Sequence, residues 1–134
     1  MPFWKFYYHI IWATKYRQPI ITPAHEKLIF STIEMVSAEL KSDIFGINGV
    51  EDHIHVAVAI PPHVAVAEWL KRCKGASSST INQTLTADDR FRWQVGYGAL
   101  TFGQKVLPFV VAYIQNQKAH HAEGTVEHYL ERID

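Results

Sequence analysis

The sequence predicts an α+β fold of the ferredoxin-like, split βαβ kind: a four-stranded, mostly antiparallel sheet covered by helices, with an apolar helix near the C-terminus. Three observations predict it. Hydrophobic residues switch between a two-residue and a helical period in the order β-α-β-β-α-β-α-α. Residues 53–60 (HIHVAVAI) alternate strictly between a Glu51-Asp52 turn and a Pro61-Pro62 stop. The 134 residues suffice for one core and leave little room for a second, so 1–134 reads as a single domain.

Residues 3–14 (FWKFYYHIIWAT) are aromatic and β-branched and predict a long first strand. Thr22-Pro23 has the form of an N-cap followed by proline at the first helical position. Ile29, Ile33, Val36 and Leu40 follow at helical spacing, so an amphipathic helix of about five turns should end near Lys41. Ile44 to Val50 reads as the second strand and 53–60 as the third. A second helix should run from about Val64 to Asn82, with Val66, Trp69, Leu70, Cys73 and Ser77 on one face and Gly75 a weak point. Thr84 to Arg90 is polar and predicts a loop, Trp93 to Phe102 a fourth strand, and Lys105 to His121 a third helix with Pro108 in its first turn. Gly124-Thr125 breaks that helix, and Val126, Tyr129, Leu130 and Ile133 suggest a short closing one.

Composition narrows the function classes. With 48% hydrophobic and 19% charged residues the chain should be globular and soluble. No apolar run approaches the roughly 20 residues that span a bilayer. The aromatic start reads as a strand and not a signal peptide, and Cys73 is the only cysteine, so the expected setting is a reducing cytoplasm. The 13 basic and 13 acidic residues cancel, but unevenly: 1–25 and 69–85 hold basic residues and no acid, whereas the tail after Ala122 holds Glu123, Glu127, Glu131 and Asp134 against Arg132. Local basic patches guide nucleic acid even when the total charge is zero.

Three constellations carry chemistry. On strand 53–60, His53, His55, Ala57 and Ala59 share one face and Ile54, Val56, Val58 and Ile60 the other. Two imidazoles on one face can chelate a divalent ion, and the two alanines would leave room above the sheet. An isolated His-x-His is, however, more often two ordinary histidines near a strand end. Tyr113 and Gln117 lie one helical turn apart, with His120 and His121 on the next turn. The plain alternative is a core tyrosine, because this helix is apolar nearly all round and must be buried or in an interface. The stretch Lys71-Arg72-Cys73-Lys74, with the serines after it, reads either as a solvated helix face or as phosphate contacts.

Together these segments resemble the single-tyrosine HUH transposases of the insertion sequence 200/605 type, which include relatives associated with repetitive extragenic palindromes. The resemblance runs through nearly the whole chain: Thr14-Lys15-Tyr16-Arg17-Gln18-Pro19 after the first strand, Asp52-His53-Ile54-His55, Glu68-Trp69-Leu70-Lys71-Arg72-Cys73-Lys74-Gly75 on the second helix, and Tyr113-Ile114-Gln115-Asn116-Gln117 followed by His120-His121. It implies that His53, His55 and Gln117 bind one Mg²⁺ or Mn²⁺. It implies that Tyr113 attacks single-stranded DNA to give a 5′-phosphotyrosine link and a free 3′-OH. It also implies hairpin-marked DNA as partner and a homodimer in which one subunit's tyrosine helix can complete the other's site. Neither a membrane nor a small-molecule substrate is expected. Lys15, Arg17, Lys71, Arg72 and Lys74 are the candidate DNA contacts. Covalent catalysis by tyrosine conserves the phosphodiester energy, and a phenol with an ordinary pKa near 10 needs activation or help on the phosphate side. Two alternatives stand beside this reading: a non-catalytic or domesticated nucleic-acid-binding module of the same fold, and a metal-dependent hydrolase of small phosphoesters. For the hydrolase, Asp52 is the only evident carboxylate ligand.

Overall fold

The computed structural model describes residues 3–85 and 90–133. Its elements are β1 (Tyr7–Ala13), α1 (Pro23–Glu39), β2 (Asp43–Val50), β3 (His53–Ala59), α2 (Val66–Asn82), β4 (Gly98–Phe102), α3 (Leu107–Gln115) and α4 (Gln117–Glu123). The four strands lie in the order β2-β3-β1-β4 with every neighbouring pair antiparallel. α1 carries the chain from β1 past one strand position to β2, the tight turn at Glu51-Asp52 returns β3 into the gap, and α2 leads to β4 on the far side of β1. This is the split βαβ arrangement that the sequence predicts.

Local chemistry sets the ends. The Thr22 hydroxyl accepts a hydrogen bond from the His25 amide at 3.1 Å, and Pro23 opens the first turn of α1. Lys41, just past the end of α1, takes a left-handed φ of 54°. α1 and α2 pack on one face of the sheet, where Ile10, Trp12, Ile54, Val56 and Val58 meet Ile29, Ile33, Val36, Trp69, Leu70 and Cys73. Each of the large side chains buried there contributes about 1.5–3 kcal/mol. α3 covers the opposite face through Val110 and Ile114 against Ala57.

The departures from expectation are physical. Tyr7 pairs with Ala59 and with Phe102, the last residues of both flanking strands, so residues 3–6 run beyond the ladder. The fourth strand begins at Gly98 and not at Trp93: Trp93 makes one bridge to Thr14, and Gly96, at φ 106°, then turns the chain. The third helix is two helices. Asn116 breaks it, its side-chain amide donating to the Ala112 carbonyl at 2.8 Å in competition with the backbone. The closing helix is a single 3₁₀ turn, His128–Leu130. Of the predicted loop from Thr84 to Arg90, residues 86–89 lie outside the described residues. The room expected above Ala57 is filled by α3, which the small side chain lets approach closely. α3 itself is buried at Val110, Tyr113 and Ile114 but leaves Phe109 exposed. No described helix is long and apolar enough to cross a membrane.

Candidate functional site

The polar cluster is built first from the sheet. β1 and β3 pair with Ala13 opposite His53, Ile11 opposite His55 and His9 opposite Ala57, so His9, His53 and His55 project from one face. All three are buried. His55 Nδ1 is hydrogen-bonded to His9 Nε2 at 2.8 Å. His53 Nδ1 donates to Asp52 Oδ1 at 2.6 Å. Both imidazoles of β3 therefore turn Nε2 toward the space beneath α4, the arrangement in which an outer partner fixes a metal-binding histidine.

The helices and the C-terminal segment close over that space. Tyr113 from α3 and Gln117 from α4 are both buried, and they remain neighbours despite the break at Asn116. Gln117 Oε1 lies 3.0 Å from His121 Nε2. The chain then reverses at Gly124, in a left-handed conformation with φ 70°, and returns across the sheet to place Glu131 among these groups. Glu131 Oε1 lies 3.1 Å from His53 Nε2, 3.0 Å from His55 Nε2 and 3.3 Å from His121 Nε2. Its other oxygen, Oε2, accepts from the Tyr113 hydroxyl and from Gln117 Nε2 at 3.2 Å. The Glu127 amide donates to the Tyr113 oxygen at 2.9 Å, and the His120 ring stacks on the Tyr113 ring with centroids 4.6 Å apart.

The electrostatics follow from this packing. Burial pushes the Tyr113 phenol up to about 12, and the hydrogen bond to the anionic Glu131 adds to the rise. Glu131 is held well below the usual carboxylate range: its partial burial works against the charge, but the close His53 imidazole and the hydrogen bond from His55 outweigh it. Burial disfavours charge on His53 too, yet Asp52 and Glu131 raise it. Burial lowers His55, and it lowers His9 to about 3 with the nearby His55 adding to the effect. His9 is therefore a neutral hydrogen-bonding partner at pH 7.

The donors fit a divalent ion. His53, His55, His121 and Glu131 each offer one atom, all within 4.8 Å of one another. Among the described residues His53 Nε2 is buried with no hydrogen-bond partner; Glu131 Oε1, although 3.1 Å away, does not form one with it. The spacings of 3.0–3.3 Å from Oε1 to the three nitrogens match donors sharing one ion, since ligand distances of about 2.0–2.2 Å imply separations of roughly 3–3.4 Å. Apart from this cluster, a groove of about 760 Å³ between α2 and the segment before β4 is lined by Lys15, Tyr16, Lys74, Arg90, Arg92 and Trp93. Tyr16 stands 80% exposed at a left-handed φ of 59°, with Lys15 Nζ 5.4 Å from its ring centre. A non-glycine residue held in that conformation is strained, and such strain concentrates at functional positions.

Set against the sequence reading, His53, His55, Tyr113 and Gln117 come together within one chain. The five candidate DNA contacts do not form one face. Lys15 and Lys74 line the groove, although Lys74 Nζ is also committed to the Gln94 and Gly96 carbonyls at 2.8 and 3.2 Å. Arg17 lies 4.0 Å from Asp52, and Arg72 pairs with Glu39. Lys71 and Arg72 border a separate hollow beside Glu68. The sequence reading missed Glu131, His9 and the two groove arginines, and gave His121 no role. His9 shares the parity of Ile11 and Ala13 on β1, which was a usable signal. Glu131 had none, being one acid in an acidic tail. The absence of a carboxylate ligand beyond Asp52, used against the hydrolase alternative, is corrected by Glu131, which the reversal at Gly124 brings in.

The sequence pattern of IS200-like transposases matches residues 2–117. The chain is 22% identical over 117 residues to the ISDra2 transposase TnpA of Deinococcus radiodurans, covering 82% of each. It is 27% identical over 120 residues to the transposase for insertion sequence element IS200 of Salmonella typhimurium, covering 85% of this chain and 78% of that one. Its fold superimposes on a REP-associated tyrosine transposase solved bound to a REP hairpin, with a TM-score of 0.69 at 14% identity, over 94% of this chain and 73% of that one.

Proposed function

The chain belongs to the IS200-like transposase family, and from that premise we propose that it cuts and rejoins single-stranded DNA near hairpins, with Tyr113 as nucleophile and His53 and His55 as metal ligands. One observation supports this above the rest: a single carboxylate, that of Glu131, touches both the Tyr113 hydroxyl and the imidazole nitrogens. A phosphodiester is of comparable span, so the phenol and the ion-binding nitrogens can act on one DNA linkage.

His53 and His55 would hold the ion through Nε2, with Gln117 Oε1 and His121 Nε2 of α4 as the further donors. An imidazole-rich donor set suits Mn²⁺ better than Mg²⁺, which prefers oxygen ligands and keeps its waters. When bound, the ion supplies Lewis-acid stabilisation of charge developing on the phosphoryl oxygens. The rest is done by the chain. Asp52 and His9 fix the two imidazoles from behind, α3 brings the phenol to the same point, and the His120 ring holds the phenol ring in place. As the Tyr113 oxygen bonds to phosphorus the bond to the 3′-oxygen breaks, the phenol proton ends, by way of water, on that departing oxygen as a 3′-OH, and the 5′-phosphotyrosine link conserves the bond energy for attack by a later 3′-OH.

The groove with Lys15, Arg90 and Arg92 suits the incoming strand: cations track its phosphates, and the exposed Tyr16 ring offers a face for a base. A homodimer fits the exposed Phe109 and Val106 beside the tyrosine on α3. The decisive experiment incubates the protein and Mn²⁺ with hairpin-bearing single strands from its own genomic flanks. A covalent protein–DNA adduct that Tyr113→Phe abolishes is the expected result. Metal-independent binding without any adduct would establish the binding-module alternative instead.

A further inference from the structure

α4 carries Gln117 and His121, yet little in its own sequence holds it in place. Its seven residues have no side-chain N-cap, and Gln117 is the residue it buries. A helix this short does not persist by itself in water, and with no apolar side chain buried it gains nothing from the core. We propose that Asn48 and Lys118 are positioning residues for the strand-cutting site: they tie α4 to β2 and α1 and so hold Gln117 and His121 over the histidines of the sheet. This rests on the reading of Tyr113 and the histidines given above.

The tie has a definite form. Lys118 Nζ donates to Asn48 Oδ1 at 2.7 Å, to the two Glu26 carboxylate oxygens at 3.0 and 3.1 Å, and to the Gly49 carbonyl at 3.2 Å. An ammonium has three protons, so acceptors on α1 and β2 occupy it fully. Among the described residues, the hydrogen bonds that α4 sends to the sheet or to α1 all come from Lys118.

Asn48 spans the break between the two helices. It lies opposite His55 in the register of β2 and β3, so its side chain leaves the same face of the sheet. Its Oδ1 accepts from Lys118, near the start of α4, and its Nδ2 donates at 3.0 Å to the carbonyl of Gln115, the last residue of α3. The partners fix the orientation of the amide, since an ammonium only donates and a carbonyl only accepts. One side chain of β2 therefore sets both the helix that carries Tyr113 and the helix that carries Gln117 and His121. Without it the break at Asn116 would let the two swing apart.

A plain surface ion pair is the competing account, and the two accounts differ in sign. The Lys118 side chain is 59% exposed, so its pairing with Glu26 adds little to stability. Deleting a cation near an ion site favours cation binding by Coulomb's law. Deleting a positioning group does the reverse, because donors must stay within about 0.5 Å of the productive geometry. Weaker Mn²⁺ binding after loss of a positive charge is therefore the mark of a positional role.

The test compares the parent chain with Lys118→Met, which keeps the stem without the ammonium, and with Asn48→Asp, which keeps the acceptor for Lys118 and loses the donor to α3. His55→Ala controls for the site itself. Mn²⁺ affinity is read by calorimetry without DNA, stability by urea denaturation, and adduct formation on a hairpin-bearing single strand by gel. Lys118→Met should bind Mn²⁺ about tenfold more weakly at an unchanged urea midpoint. Asn48→Asp should bind Mn²⁺ at least as tightly as the parent and form the adduct about tenfold more slowly, because only the end of α3 is released. Mn²⁺ affinity in Lys118→Met that equals or exceeds the parent's, or that falls only in step with the urea midpoint, overturns the positioning role of Lys118. Adduct formation by Asn48→Asp at the parent's rate overturns the bridge across the break. In both of those cases the parent still binds Mn²⁺ and His55→Ala does not. A parent without Mn²⁺ binding or adduct, or a His55→Ala variant equal to the parent, overturns the reading of the site and this inference with it.

Discussion

The two faces of β3 are equally buried and do opposite work. Ile54, Val56 and Val58 point into the layer beneath α1 and α2, where the neighbours are mostly apolar and the few polar groups are small or indole, such as the Ser37 and Ser77 hydroxyls that accept from Trp69 and Trp93. His53 and His55 point the other way and are themselves just as buried, although their layer reaches the surface at His121; the neighbours there are Asp52, His9, His121, Tyr113, Gln117 and Glu131. On the first face burial is favourable by itself. On the second it opposes each charge, and the groups persist there only because they satisfy one another. Burial thus does not separate a stability face from a functional one. What separates them is whether the buried groups need partners.

The sharpest way to break this contrast is to truncate adjacent residues of the same strand. His55→Ala should abolish both Mn²⁺ binding and the protein–DNA adduct, because it deletes one of the two sheet-borne donors; calorimetry and adduct gels read it. If that variant binds Mn²⁺ as the parent does, the two faces do not differ in the way argued. Ile54→Ala should cost about 2–5 kcal/mol of stability, as deletion of a fully buried branched side chain does, with Mn²⁺ affinity of the folded fraction unchanged. Urea denaturation measures the first quantity and calorimetry the second.

The same contrast explains what was legible in the sequence. The core face of β3 was, because alternation of Ile54, Val56 and Val58 with small and polar residues is a local pattern. So were the start of α1 and the strand order, since Thr22-Pro23 and the Glu51-Asp52 turn act over a few residues; α2, expected from about Val64, starts at Val66 without a capping side chain to mark it. His53 and His55 were legible as a pair for the same reason, and Tyr113 with Gln117 by helical spacing. What was not legible depends on contacts remote in sequence. Glu131 is separated from His55 by 76 positions, and its place follows from a chain reversal at Gly124 and a missing Cβ at Gly98. Arg90 and Arg92 sit in a stretch with no periodicity, and only the fold brings them beside Lys15.

Smaller perturbations should sharpen the picture. His9 reaches the histidine pair only through Nδ1 of His55, so it is a positioning residue. His9→Leu keeps bulk but removes the partner and should weaken Mn²⁺ binding by about 10–100-fold, the usual effect of losing the group behind a metal-binding histidine. His9→Gln, which retains a hydrogen-bonding group, should recover part of it; equal affinity in both variants would remove His9 from the account. On the core face, burial pushes the Cys73 thiol from about 9 to about 12. The folded chain then keeps a proton that the unfolded chain releases, so this contribution is full below pH 9 and is lost as pH rises toward 12. Cys73→Ala should make the alkaline fall in stability shallower by up to about 1.4 kcal/mol per pH unit. An unchanged slope in denaturation at pH 9 to 10.5 would count against the buried, protonated thiol.

The smallest effect is the most exacting test, because it asks whether stability and strand binding come apart at a residue that touches both. Gly75 lies in the middle of α2, exposed, and a Cβ added there meets nothing within 4 Å among the described residues. It also lines the groove beside Lys74. Glycine in a helix interior is less favourable than alanine by about 0.5–1 kcal/mol, so Gly75→Ala should raise the unfolding midpoint by a few degrees. If the groove grips DNA through side-chain cations and the Tyr16 ring, a methyl group on its floor leaves strand affinity unchanged. If the strand instead packs against the bare backbone of α2, the same methyl group weakens binding while the protein grows more stable. Measuring both on one variant tells whether α2 serves the core face alone or is shared with the DNA.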